Sequence, residues 1–261
     1  MNIQKNLFIC LMAFSIYACD TNFAGNSESG NNDSSIAGSY STMLTVGNKL
    51  YTVSKEELST FDISEKTKPK LIDQKLVGFQ IENLYHNNGL LFIGSQTSLY
   101  IYAIDDKGIP NRKSATEYFS FGSEVEPCDP VIAKDGYAYA TLSSRNETGG
   151  PCSRTFEINE LRTYNVINPE QPFLESTIEM KNPKGLSIDR DRLYVCEGEH
   201  GMKIFDLSQK NIPALITTVN TCQCYDIIIH NGLILAVGKK EIYQYQYGEN
   251  QSLIQLKTIL L

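Results

Sequence analysis

Two acidic clusters and a set of thiols are the residues of this 261-residue chain with chemistry to offer. Glu126 and Asp129 stand in "EVEPCD" (124–129), Glu197, Glu199 and His200 in "CEGEHG" (196–201), and Asp226 lies shortly after. Two carboxylates at a suitable separation are what glycoside hydrolysis requires, one as acid and one as base or nucleophile. Glu beside His can also bind a metal or move protons. Nothing in the spacing of these six residues singles out a pair, so they read as a candidate binding face on acidic, solvated loops rather than as catalytic groups. No Gly-rich phosphate loop, nucleophile elbow or paired zinc motif is present. No cofactor, metal or catalytic residue is therefore expected. "CQC" (222–224) raises metal and redox readings, but Cys-x-Cys without a nearby His is not a zinc spacing.

The N-terminus reads as targeting sequence. "NLFICLMAFSIYA" is an apolar run of about a dozen residues, the length of a signal h-region and too short to span a bilayer. It ends in "IYAC" (16–19), which resembles the bacterial lipobox, a small residue before a Cys that is lipidated. The resemblance implies a signal peptide over 1–18, lipid on Cys19, and a membrane-anchored lipoprotein of the bacterial cell envelope, on its periplasmic side or on the cell surface. Residues 20–35 are rich in Asn, Ser and Gly and bury too little apolar surface to order, so 19–35 is expected to be a flexible tether and 36–261 the folded domain. Net charge is −7 with no basic stripe, which excludes a nucleic-acid partner. Membrane contact is expected through the lipid alone.

The elements that must position the acidic loops come from a repeat. "KIFDLSQKNIPALITTV" (203–219) echoes "STFDISEKTKPKLIDQK" (59–75). Turn residues Asn48, Gly89, Gly136, Asp191 and Gly232 recur at spacings of 41, 47, 55 and 41 residues, each between two short apolar runs. Asn, Asp and Gly tolerate the left-handed backbone of a tight hairpin. Each unit then continues with a third strand ("LSTFDIS", "LYIYAID", "LRTYNVI", "MKIFDLS", "IYQYQYG") and a fourth ("PKLIDQKLV", "TEYFSF", "PFLESTIEM", "PALITTV", "LIQLKTIL"). The runs carry Val, Ile, Tyr, Phe and Thr without helical period. A period of 40 to 50 residues is that of propeller blades, and standing blades in a ring covers their faces. The expected fold is all-β, a β-propeller of five four-stranded blades, or six with one degenerate. The chain starts on a first strand and stops on a fourth, so no blade is shared between its ends.

The third-strand motif also resembles the LVIVD-repeat family, through Asp62, Ser64 and Pro69 and again through Asp206, Ser208 and Pro213. Asn165, Asn168 and Pro172 match loosely, Asp105 and Pro110 less so, and the last unit lacks both Asp and Pro. The resemblance implies a secreted or surface-anchored repeat protein. The short side-chain oxygen at this strand end is read as structural, accepting backbone N–H groups of the following turn.

The strand map places Cys128, Cys152, Cys196, Cys222 and Cys224 at one end of the blades. In an exported protein, disulfides are the expectation: Cys128 with Cys152, and Cys196 with Cys222 or Cys224, one thiol remaining. The function expected is a lipid-anchored, extracytoplasmic, non-catalytic binding or scaffold module for a protein or glycan. The alternative is a glycoside hydrolase or lyase with carboxylates on the loop-rich face.

Overall fold

The computed structural model describes residues 42–118, 130–143, 158–248 and 252–261. They form twenty strands in five antiparallel sheets of four consecutive strands each. The first blade comprises β1 (Met43–Val46), β2 (Lys49–Val53), β3 (Glu57–Asp62) and β4 (Lys70–Leu76). The second has β5 (Ile81–Asn87), β6 (Leu90–Ser95), β7 (Ser98–Ile104) and β8 (Pro110–Glu117), and the third has β9 (Val131–Lys134), β10 (Tyr137–Ser143), β11 (Asn159–Asn165) and β12 (Phe173–Glu179). The fourth has β13 (Leu186–Asp189), β14 (Arg192–Cys196), β15 (Met202–Asp206) and β16 (Ala214–Val219), and the fifth has β17 (Asp226–His230), β18 (Leu233–Val237), β19 (Glu241–Tyr247) and β20 (Leu253–Leu260). This is the five-bladed propeller expected, each blade among the described residues being built from four consecutive strands.

Hairpin turns open each blade as the sequence predicts. Asn88–Gly89, Asp135–Gly136 and Asn231–Gly232 all have positive φ at both positions, the type I′ geometry that matches strand twist. In the first and fourth blades the left-handed residue is one place earlier than expected, at Gly47 and Arg190 rather than Asn48 and Asp191. One strand assignment is corrected. The fourth strand of the second blade is β8, not "TEYFSF" (116–121). Outer strands face water, so β8 is mostly polar ("PNRKSATE") and has no apolar run to mark it. Pro110 at its start was the usable signal, standing where Pro69, Pro172 and Pro213 stand.

Every third-to-fourth strand pair carries a bulge at the same place, with one unpaired residue in the outer strand: Ile72, Lys113, Glu175, Ile216 and Leu256. Such a bulge bends and twists an edge strand away from flat pairing, which protects the rim from adding foreign strands. The turn after each third strand is closed by the short side chain read from the motif. Asp62 accepts from Ser64 N–H at 2.8 Å, Asp206 from Ser208 N–H at 2.5 Å, and Asp105 from Lys107 and Ile109 N–H at 2.9 and 2.8 Å. Asn165 accepts from Ile167 N–H at 3.2 Å.

The core lies between blades. First strands of successive blades pack side by side, β1 on β5, β5 on β9, β9 on β13 and β13 on β17. Four clusters of buried side chains fill these junctions: Leu44, Tyr51 and Leu58 against Leu84, Leu91 and Tyr102; Phe92 and Ile101 against Val131 and Ala140; Tyr139 and Leu161 against Leu193 and Phe205; Tyr194 and Ile204 against Ile227 and Tyr245. The third residue of the second strand plugs into the next blade. Tyr51 donates its hydroxyl to Gly108 O at 2.9 Å, Tyr139 to Lys210 O at 2.8 Å, and Tyr194 bonds the Tyr247 hydroxyl at 3.2 Å. Phe92 and Leu235 hold the same position in the other two blades.

Among the described residues no fifth cluster joins the last blade to the first. The first blade's outer face bears Met43, 60% exposed, with Thr45, Thr52, Ser59 and the half-buried Leu50 and Phe61. The fifth blade's outer face bears half-buried Ile228, Leu235 and Ile242 beside Gln244 and Lys257. At the fifth blade Leu235 thus replaces the aromatic plugs of the four sealed junctions, and hydroxyl, amide and ammonium side chains share these two faces with the half-buried apolar ones. End repeats of stacked arrays carry such polar outer faces because water covers them.

Candidate functional site

The antiparallel order puts second-to-third strand loops and the entries to each first strand on one rim of the blades. Of the acidic-cluster residues picked out in the sequence, Glu197, Glu199, His200 and Asp226 are among the described residues and lie at this rim. In the fourth blade the turn 197–201 is folded back on itself, with Glu197 N–H on Gly201 O at 2.8 Å and His200 N–H on Glu197 O at 3.0 Å. Gly201 is required there. Its φ is +91°, and a Cβ would sit 1.9 Å from Val219 O.

That turn separates the neighbouring carboxylates. Glu197 is 1% exposed. Its Oε1 accepts from Lys181 N–H at 2.7 Å and from Lys203 Nζ at 3.2 Å. A carboxylate so enclosed by donors holds the rim together and is not presented to a ligand, which corrects its place on the candidate face. Glu199 is exposed and pairs with Lys239 of the fifth blade at 2.7 Å. The Lys239 ammonium beside it holds its carboxyl below the ordinary range, and Glu199 in turn raises Lys239. Lys239 also lies 5.7 Å over the Tyr225 ring. His200 is exposed at the turn tip, and Asp226, half-buried at the start of β17, caps the N–H of Ile227 at 2.9 Å. Glu126 and Asp129 lie outside the described residues. Among the described residues no group of three or more His, Cys, Asp or Glu is placed to hold a metal ion.

Of the two partners left open for Cys196, the structure has Cys224. Gly198 and Cys224 bridge through paired backbone hydrogen bonds of 2.7 and 2.8 Å, which brings this chain segment against the end of β14. The disulfide therefore staples the fourth blade to the fifth. Cys222 stays a buried thiol whose pKa is raised by burial. With Cys224 so bound, "CQC" offers no dithiol. Cys19, Cys128 and Cys152 lie outside the described residues.

Sequence reasoning missed a buried polar seam under the rim. Asn83 donates to Val131 O at 2.7 Å, linking the second and third blades. Lys184 Nζ donates to Ser143 Oγ at 2.7 Å while Thr141 donates to Lys184 O at 2.7 Å, linking the third and fourth. Lys184 is 6% exposed and sits in "KNPKGLSI", where no pattern distinguishes it from a surface lysine.

No family model matches the sequence, and no curated protein matches it either. The shape is widely shared. The chain superposes on a functionally unknown protein from Desulfotomaculum acetoxidans with a TM-score of 0.64 at 10% identity, covering 84% of this chain and 69% of that one. The fold is that of a β-propeller. AztD of Citrobacter koseri gives a TM-score of 0.55 at 14% identity over 82% of this chain and 59% of that one. BamB of Moraxella catarrhalis gives 0.53 at 9% identity over 75% and 53%. The chain thus spans from about half to about two thirds of these proteins' lengths, and at such identities the likeness concerns the fold alone.

Proposed function

We propose that this chain is a lipid-anchored, extracytoplasmic binding or scaffold module of the bacterial cell envelope. It holds a protein or glycan partner without transforming it. The observation that carries the reading is the pairing on the rim. Glu197 lies against Lys203 and Glu199 against Lys239, so these carboxylates are tied to their own cations on rigid blade ends. What they frame is a surface of Tyr225, His200 and Lys239, residue types suited to recognition. The connections 118–130 and 144–158 are the longest between described strands, and long loops on a rigid scaffold are where binding residues concentrate. BamB and AztD lend the fold-level analogy, by likeness of shape only. The anchor rests on Cys19 closing an apolar signal segment.

Two measurements test the reading. Cys19→Ala should release the protein from the membrane fraction and remove a lipid-modified N-terminal peptide from its mass spectrum; unchanged fractionation overturns the anchor. A photo-crosslinker at position 225 of the full-length protein should label one envelope component, and Lys239→Glu should abolish that label. Release of reducing sugar ends from envelope polysaccharide, lost in a Glu199→Gln variant, would overturn the non-catalytic role.

A further inference from the structure

The outer strands of the fourth and fifth blades diverge to leave a groove of about 590 Å³. That volume falls within the range of small-ligand sites. One wall is β16 and the bend after it, presenting Thr217, Asn220 and Thr221; the other presents Tyr247 and Gln255. Arg192 lies at the groove with its guanidinium 4.1 Å over the Tyr247 ring. It is the only formally charged group among the lining residues. We propose that this groove is a binding subsite for a neutral oligosaccharide.

Its chemistry selects that class. Hydroxyls both donate and accept, and amides offer two donors beside an acceptor, the complement of a sugar's vicinal hydroxyls. Half-buried Tyr247 supplies an aromatic surface for the C–H side of a sugar ring, while buried Tyr245 steadies the wall, its hydroxyl 3.5 Å from Thr221 Oγ1. A charged polymer finds one cation here, and that cation is stacked on an aromatic ring. An extended peptide is the other occupant such a groove suggests, since β16 is the one outer strand of the five without a charged residue. Strand addition requires a flat edge, however, and Ile216 bulges in the middle of β16. Recognition must then come from side-chain hydroxyls and amides rather than from a backbone ladder. This inference rests on the binding-module reading and names a ligand and a place for it.

The test is isothermal titration of the full-length protein with four probes: maltohexaose, cellohexaose, xylohexaose and chitohexaose. At least one should bind. The double variant Asn220→Ala/Gln255→Ala, in two exposed residues that the fold does not need, should weaken it about tenfold, the loss of one or two net hydrogen bonds. Arg192→Lys, which keeps the charge but removes the planar stack, should weaken it as well. Heat from none of the four probes overturns the proposal, and so does binding that the double variant leaves unchanged. An acetylated peptide of alternating Thr and Val that binds the wild type but not the double variant reassigns the groove to peptide and overturns it too. Each of these failures leaves the crosslink at position 225 free to succeed or fail independently.

Discussion

The side chains that set this structure act mostly through short polar contacts. Asp62 is the clearest: the Ser64 hydroxyl and N–H, then the Lys49 ammonium at 3.0 Å, hold its carboxyl down at about 2. A carboxyl depressed in the folded state contributes stability above its ordinary value, 3.8, and that stability is lost as pH falls through about 2. Asp62→Asn should therefore lower the urea midpoint at pH 7 and flatten its fall between pH 4 and pH 2; a parallel fall in both proteins would show that the turn carboxylate is not what acid releases. The inter-blade tyrosines act by reach. Tyr139→Phe removes one bond to Lys210 O and should cost about 1 kcal/mol in denaturant unfolding, whereas Tyr139→Ala also empties a core site and should cost about 3–5 kcal/mol. The turn aspartates were legible in the sequence because the N–H groups that donate to them lie two to four residues away. The tyrosine plugs were not, since Tyr51 and Tyr139 meet carbonyls 57 and 71 residues distant in the next repeat.

At the scale of elements, the repeat was readable wherever a strand is at least half-buried. First, second and third strands were found from their apolar runs. Fourth strands were read from apolar runs as well, and β8, which has none, was the one misplaced although Pro110 opens it. The rim was legible as a location and not as an arrangement. The "CEGEHG" and "CQC" segments were expected at one end, but whether Cys222 or Cys224 meets Cys196 depends on the backbone bridge at Gly198, which no spacing encodes. The staple closes a segment of 28 residues between the last two blades. A loop of that length constrains the unfolded chain by about 3–4 kcal/mol. Cys196→Ser/Cys224→Ser should lose about that much in guanidinium unfolding, with early exposure of the fifth blade to protease. Unchanged stability would show the bridge to be absent in solution.

At the scale of the whole fold, among the described residues, five copies of one sheet are joined by four sealed junctions. Each sealed junction buries aromatic and branched side chains from both partners, while the two end faces offer Thr45, Thr52 and Ser59 on one side and Gln244 and Lys257 on the other. The blade count followed from the period. That no buried cluster joins the fifth blade to the first among the described residues was not legible in the sequence, because polarity on one face of a strand reads as ordinary alternation until the neighbour's position is known. In such an array, stability is a sum of repeats and interfaces, and end repeats open first. The fifth blade is stapled to its neighbour and the first is not. Amide hydrogen exchange of the full-length protein, resolved by peptide, measures this directly. The account predicts fastest exchange in β1–β4, slower exchange in β17–β20 that quickens on reduction, and strongest protection in β9–β11. Protection in β1–β4 equal to that of the third blade would mean a ring sealed at all five junctions and would contradict it.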